Sequence, residues 1–329
     1  MAFRINPMYW PILALVAPVV VPGLLLRNGR YRRNMARADE INRRRLERGE
    51  PLDLPELEFL ELTVLVEWET EDGFLGDPGV SYLLRSDRGS LLFDIGFGEE
   101  NDTLTRNAAR LGVDIGRVDA VAISHLHPDH AGGMRARRSG RLGWPGELGD
   151  PEGKPCFLPD EAAAEGFRTQ IVEGPQTLAG GIASVGPLAR SLFFMGLTEE
   201  QALVADVAGK GLVVFTGCGH MGTELALQMV GRLSEKPLHA LCGGLHLPLT
   251  RGRGLIPGIE VQCIVGTGKP PWRRITDEDV SSTIAAINAA GPEKLYLSAH
   301  DTCDDALARI QAETDSEAHV LRAGAIYRF

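Results

Sequence analysis

The sequence predicts a layered α/β domain that follows an apolar N-terminal segment, and three observations lead to that expectation. From residue 57 onward, short β-branched runs alternate with amphipathic helical stretches, the rhythm of a mixed sheet-and-helix body. Four of the apolar runs end in a histidine: "AVAISH" at His125, "LVVFTGCGH" at His220, "LHALCGGLH" at His246 and "LYLSAH" at His300. Ahead of them, "MYWPILALVAPVVVPGLLL" runs from Met8 to Leu26 without a charged residue.

That first segment has the length of a membrane-spanning helix. Pro11, Pro18 and Pro22 interrupt it, and the last two are expected to kink a helix, which membrane helices tolerate better than soluble ones. Tyr9 and Trp10 stand at one end, where interfacial aromatics belong. Arg27, Arg30, Arg32, Arg33 and Arg37 follow, while only Arg4 precedes. A cleaved signal peptide would carry its charges ahead of the apolar core. The expectation is a membrane anchor through residues 8–26, spanning or re-entrant, at the cell membrane with the body on the cytoplasmic side. The alternative is an apolar arm packed on the body or on a second subunit. Residues 36–50 read as a charged helical connector, solvated or lipid-facing, and "PLDLP" at 51–55 as a linker. The chain thus divides into an anchor and basic connector, 1–50, and a body, 51–329.

Charge follows the same division. The net charge is -10, yet residues 1–50 carry ten arginines and only four acids, which leaves the body strongly acidic. An acidic body excludes nucleic acid as the expected partner. The five cysteines are odd in number and contain no CxxC pair, so reduced thiols are expected and not a disulfide framework.

Within the body the elements follow in order. "LEFLELTVLVEWE" reads as strand, and "VSYLLRSDRGSLLFDIG" as two strands about the turn "SDRG". "TLTRNAARLG" reads as a helix that stops at Gly112, and "RVDAVAIS" as a buried strand. Residues 131–200 have a weaker pattern: "RARRSGRLGWPGELGDPEGKP" reads as loop and "FLPDEAAAEG" as a short helix. Then "GLVVFTG", "LHALCGG", "KLYLSAH" and "GAIYRF" read as strands. Helices are expected at "MGTELALQMVGRLSE", "TDEDVSSTIAAINAAG" and "CDDALARIQAE", the second with a capping box from Thr276 to Asp279 and a stop at Gly291.

The histidines carry the chemistry. Strand ends of a layered sheet protein lie along one edge, where ligands bind. With His127 and His130, six of the eight histidines fall at such ends, and His239 and His319 read as ordinary core or surface imidazoles. His125 and His127 are two apart, so in an extended segment they face the same way and can grip one metal. Pro128 ends the extended stretch, Asp129 and His130 point elsewhere toward a second metal, and Gly132 and Gly133 let the backbone turn away. Imidazole and carboxylate suit Zn, with Mn or Fe as alternatives, as one or two divalent ions.

"HLHPDH" matches the HxHxDH signature of the metallo-β-lactamase superfamily, and residues 57–329 resemble that superfamily. More narrowly, "SHLHPDHAGG", "GLVVFTGCGHMG", "GGLHL" and "SAHDTC" resemble successive motifs of the branch named after the dihydropterin-linked ribofuranosyl-aminobenzene phosphate synthases. The resemblance implies an αββα sandwich with its metal site at the sandwich edge. It implies His125, His127, Asp129, His130, His220 and His246 as ligands, and His300 as a further one. The chain departs from the pattern in three places. No histidine lies between 131 and 219, Gly217-Cys218 stands where a Gly-Asp is usual, and His300-Asp301-Thr302-Cys303 replaces a His-Cys-Thr-Gly motif. Cys218 and Asp301 thereby become candidate ligands, with Cys218 equally readable as a buried inert thiol. Asp94 in "LLFDIG" resembles the early aspartate that supports a metal-binding histidine from behind, or caps a strand.

With two metals, His125, His127 and His220 are expected to hold one, and Asp129 and His130 the other, completed by His246 or His300. Asp129 is also the candidate catalytic residue, to orient a metal-activated hydroxide or take up a proton. The expected function is metal-dependent hydrolysis of an ester, lactone or phosphate ester, tethered to the membrane. The alternatives are a metal-dependent synthase or redox enzyme on the same fold, or a non-catalytic membrane-associated subunit with a structural metal site. Residues 251–274, with Arg251, Arg253, Lys269, Trp272, Arg273 and Arg274, read either as a lid that offers cations to a small anionic substrate or as a solvated loop.

Overall fold

A computed structural model describes residues 4–253 and 257–329. The first part of the body contributes β1 (Glu56–Leu57), β2 (Leu60–Val66), β3 (Ser81–Ser86), β4 (Gly89–Phe93), β5 (Ala120–Ala122), β6 (Pro155–Leu158) and β7 (Arg168–Ile171). The second contributes β8 (Gln176–Ala179), β9 (Ile182–Leu192), β10 (Gly196–Val207), β11 (Gly211–Thr216), β12 (Leu238–Gly243), β13 (Lys294–Leu297), β14 (Glu317–Val320) and β15 (Ile326–Arg328). The helices are α1 (Trp10–Arg48), α2 (Thr103–Leu111), α3 (Pro128–Ala131), α4 (Met134–Ser139), α5 (Thr223–Leu233), α6 (Gln262–Val265), α7 (Asp277–Ala290) and α8 (Asp304–Glu313).

The strands form two sheets. One runs β15-β2-β3-β4-β5-β6-β7, the other β14-β13-β12-β11-β10-β9-β8 with β1 beside β10. Leu62, Tyr82, Phe93 and Ala122 of the first sheet meet Leu203, Phe215, Cys242 and Tyr296 of the second in the central core. The outer face of the second sheet packs on α5, α7 and α8 through Met229, Val230, Ile284, Ile287 and Ile310. The outer face of the first packs on α2 through Leu104 and Ala108. Helix, sheet, sheet, helix is the αββα sandwich that the resemblance implied. β11 reads "GLVVFT" with no polar alternation because both its faces are covered.

Most helices and strands fall where the periodicity placed them. α7 carries the expected capping box at Thr276 and Asp279, and Gly291 closes it in the left-handed region. Residues 131–200 differ from the expectation. "FLPDEAAAEG" holds the end of β6 and a loop, with no helix. The weakly patterned stretch beyond it contains β9 and β10, two long paired strands. Pro187 and the run Glu199-Glu200-Gln201 obscure them in sequence, since proline and acids are depleted in strands. The pairing accommodates them with a register shift between Gln201 and Leu203.

The N-terminal segment also differs. The anchor and the connector are one continuous helix, α1, with Pro18 and Pro22 inside it. Its second half keeps Arg43, Arg44 and Glu47 exposed, as expected of a charged connector, but it is not free: Tyr31, Ala38 and Asn42 are buried against the body. Asn42 donates to the carbonyl of Ala189 at 2.8 Å and accepts from its amide at 2.7 Å, the pair of bonds a neighbouring strand would have made. Arg45 reaches the carbonyl of Pro187 at 2.9 Å and Glu199 at 2.8 Å. α1 is therefore built into the flank of the second sheet along β9.

Candidate metal centre

Parallel pairing aligns the strand ends that bear the histidines. Phe93 is level with Ala122 at the ends of β4 and β5. Thr216, Gly243 and Leu297 are level at the ends of β11, β12 and β13. Asp94, His125, His220, His246 and His300 leave those ends onto one rim of the sandwich. Gly217 and Gly244 make the crowding feasible. A Cβ at Gly217 would collide with the hydroxyl of Ser124, and one at Gly244 with the carboxylate of Asp301. Asp94 and His246 hold φ of 62° and 51°, backbone values that few residues other than glycine adopt.

The structure brings all seven expected ligands together. The donor atoms of His125, His127 and His220 lie within 4.8 Å of one another, as do those of Asp129, His130, Cys218 and His300, and those of Cys218, His220 and His246. Beside Asp129 and His130 stand His300 and Cys218, and His246 stands by His220 and Cys218. Cys218 Sγ lies 3.0 Å from His130 Nε2 and 3.2 Å from His300 Nε2. His127 Nδ1 lies 3.1 Å from His220 Nε2.

The rings are oriented from behind. His130 Nδ1 meets Asp94 Oδ2 at 2.6 Å. His125 Nδ1 meets Ser124 Oγ at 2.9 Å, and Ser124 in turn donates to Asp94 at 2.7 Å. His300 Nδ1 meets Ser298 Oγ at 2.5 Å, and Ser298 donates to Glu67 at 2.5 Å. In each ring Nε2 is thereby left to face the centre. His246 is held through its backbone, whose amide donates to Asp301 at 3.1 Å.

The unpartnered polar atoms of this rim point to a bound group. His125 Nε2 and both ring nitrogens of His246 are buried and have no hydrogen-bond partner among the described residues. Buried polar atoms without partners are rare in folded proteins. Burial also pushes the imidazoles of His125, His127 and His220 well below their ordinary range, so they are neutral, as metal ligation requires. His130 is the exception: burial opposes its charge, but Asp94 and Asp129 outweigh that and hold it at about 9. A metal on its Nε2 would displace one proton and leave the other on Nδ1, facing Asp94. The donor set fits a divalent ion of the zinc type.

Two cavities open beside the centre. One is lined by His220, His246, Thr267, Lys269 and Arg190, the other by His127, Thr198, Arg137, Met195 and Glu199. Two of the five expected lid cations are committed elsewhere. Arg253 donates to the carbonyls of Ala299 and Thr302 and to Asp304, and Lys269 pairs with Asp279. Residues 254–256 of that segment lie outside the described residues. Within the linings of the two cavities the available cations are Arg137, half-buried, and Arg190, exposed, whose guanidiniums make no hydrogen bond or ion pair with a described residue.

Sequence reading missed Glu67, Glu200, Arg137 and Arg190. Glu200, fully buried in β10, accepts from the amides of Gly219 and His220 at 2.8 and 2.6 Å and so shapes the turn that carries Cys218 and His220. The detectable signal was an acid embedded in an apolar run, "LTVLVE" for Glu67 and "EEQALVADV" for Glu200. The two arginines carried no such signal. His239 and His319 lie away from the centre, paired with Glu293 and Glu317.

The family model of the metallo-beta-lactamase superfamily matches residues 75–136, the stretch that contains Asp94 and "HLHPDH". Among solved structures, the chain is similar to Tm1679, a metal-dependent hydrolase of the beta-lactamase superfamily. The TM-score is 0.57 at 22% identity, over 82% of this chain and 98% of that one. It is also similar to the metallo-beta-lactamase fold protein YhfI from Bacillus subtilis, with a TM-score of 0.50 at 16% identity, over 82% of this chain and 100% of that one. No curated protein matches the sequence. The fold is thus the metallo-β-lactamase fold, and residues 75–136 within it match the superfamily's model.

Proposed function

We propose that this chain is a metal-dependent hydrolase that cleaves an ester, lactone or phosphate ester in a small anionic substrate, while α1 tethers it to a membrane. The observation that carries the reading is the rim of converging donors with orphaned nitrogens on His125 and His246. His125, His127 and His220 form one ligand group. Asp129, His130 and His300 form the other, with Cys218 between them in the place of a bridging acid. Bound there, divalent zinc-type ions supply Lewis acidity and bring the pKa of water down to about 7.

The chain's own residues do the rest. Asp94, Ser124, Ser298 and Glu67 fix the rings so that no reorganisation is needed during the reaction. Asp129 is a carboxylate of the centre with partial solvent contact, which suits it to take up a proton and pass it on. Arg137, in the cavity beside His127, and Arg190, in the cavity beside His246, offer guanidiniums to a phosphate or carboxylate. The narrower kinship with the ribofuranosyl-aminobenzene phosphate synthase branch rests on the four motif stretches and is part of this proposal. The thiol of Cys218 supports a second reading, redox chemistry at iron, since thiolate suits iron as well as zinc.

The test is metal analysis of the purified protein together with hydrolysis of ester, lactone and phosphate-ester substrates. Activity should follow metal content and vanish in His127→Ala. Arg137→Met should raise KM for anionic substrates roughly tenfold or more and leave neutral ones unchanged, as loss of a charge-assisted bond implies. Full activity in metal-free protein refutes the proposal, and iron with oxygen-dependent turnover favours the second reading.

A further inference from the structure

The apolar half of α1 is the largest feature that the metal centre does not use. Leu15, Val19 and Leu26 expose 82%, 81% and 81% of their surface, and Ile12, Leu25 and Trp10 half or more of theirs. A contiguous apolar helix of this size in water requires a cover.

Both ends of that stretch are fastened to the catalytic body. At the far end, Asn6 N donates to the carbonyl of Gly258 at 2.7 Å, Glu260 N donates to the carbonyl of Arg4 at 2.8 Å, and Ile5 pairs with Ile259 as an antiparallel bridge. Arg4 also reaches the carbonyl of Arg273 at 2.9 Å, and Tyr9 that of Pro257 at 3.2 Å. At the near end, Arg27 donates to the carbonyl of Phe193 at 2.9 Å and Tyr31 to that of Gly268 at 2.6 Å.

The far-end partners cannot leave the body. Gln262 donates to the carbonyl of His300 at 2.8 Å, next to the metal centre. Gly258 is four residues away, and extended chain spans at most ~3.6 Å per residue, so Gly258 lies within about 14 Å of Gln262. A hydrocarbon core is about 30 Å thick. A helix that crossed it would carry Asn6 to the opposite side and break every one of these bonds.

We propose that residues 10–26 lie in the plane of the lipid surface as a strap fastened to the body at both ends, and do not cross the bilayer. The inference deepens the tethering part of the proposed function and rests on it. The occupant of the exposed faces is a lipid leaflet. Arg27, Arg30 and Arg33 line a cleft with Phe193, Phe194 and Met195, the cation-and-aromatic belt that headgroups favour. Met195 lines this cleft and also the cavity beside His127, so that cavity opens at headgroup level.

The test uses the full chain with Ile5→Cys and Ile259→Cys, bound to vesicles of phosphatidylcholine and phosphatidylglycerol. The bridge geometry suits a disulfide, and the five native cysteines are buried and do not compete. The disulfide is expected by intact mass in the vesicle-bound fraction. Asn6→Cys alone, which does not depend on the double variant folding, should react with an impermeant maleimide added on the body's side, as Arg33→Cys does. Labelling of position 6 only after vesicle lysis, with no disulfide, means a spanning helix and overturns the proposal. Failure to float with vesicles of either lipid, alone or mixed, overturns it too and leaves a second copy as the cover. Metal content and hydrolysis of soluble substrates by the same samples report on the hydrolase reading separately.

Discussion

Replacing Cys218 by serine separates a metal ligand from an inert buried thiol. Its sulfur faces two ring nitrogens, His130 Nε2 at 3.0 Å and His300 Nε2 at 3.2 Å, with Asp129 in the same donor group. A thiol has one hydrogen and cannot donate to both. Burial, together with Asp129 and Asp301, pushes the Cys218 thiol well above its ordinary range, so the metal-free protein holds it protonated at neutral pH. If Cys218 ligates, metal binding must expel that proton, and apparent affinity then rises about tenfold per pH unit from this group alone. Serine does not give up its proton so readily, so in Cys218→Ser the slope of −log Kd against pH should fall by about one. Affinity at neutral pH should drop at least 10–100-fold, the loss seen when even a supporting residue is removed, or roughly 1.4–2.7 kcal/mol. Chelator competition across neutral pH measures both quantities. A cobalt-loaded wild-type protein should also show a thiolate charge-transfer band that the variant lacks. Cys242→Ala, a thiol in the core between the sheets, is the control and should lower Tm without changing metal affinity. An unchanged slope and unchanged affinity in Cys218→Ser would refute the ligand assignment.

Two further predictions concern residues behind the ligands. In Asp94→Asn the left-handed backbone at φ 62° is kept, because asparagine tolerates that region, so the fold should persist by circular dichroism. Loss of the carboxylate on His130 Nδ1 should weaken metal binding by roughly 10–100-fold, and unaltered affinity would sink the orienting role. Glu67 has its carboxyl pushed up to about 7 by burial, against an ordinary value of 4.5. It holds its proton more tightly folded than unfolded, so its contribution to stability is complete at low pH and is lost as pH rises from 4.5 toward 7. Denaturant midpoints of metal-free protein should fall across that window, by up to about 3 kcal/mol in unfolding free energy, and Glu67→Gln should flatten the fall. Parallel profiles for the two proteins would rule Glu67 out as the source.

Much of the fold was legible because its signals are local. The apolar runs of β4, β5, β11, β12 and β13 each read as strand within a few residues, and α7 announced both its ends by a capping box and a glycine stop. "HLHPDH" was legible for a chemical reason, since three imidazoles and a carboxylate at that spacing have metal ligation as their physical use. β9 and β10 were not legible, because Pro187, Glu199 and Glu200 contradict strand propensity and only a partner strand and a neighbouring helix make them acceptable. Glu67 and Glu200 looked like ordinary acids, and their meaning depends on Ser298 and on the amides of Gly219 and His220, far away in the chain.

Periodicity and residue chemistry thus settled the layered α/β body, the strand ends and which histidines would meet at the rim, because each needs only neighbours in sequence. Contacts between distant segments settled the rest. They sorted the donors into groups and set Cys218 between His130 and His300. They committed Arg253 to the loop that follows His300 and left Arg137 in a cavity. They also turned an apolar stretch and a charged stretch into one helix that shares hydrogen bonds with Ala189 across 147 positions of chain, while Asn6, just ahead of it, bonds Gly258. Such bonds depend on where the folded sheets bring the backbone, which no local pattern encodes.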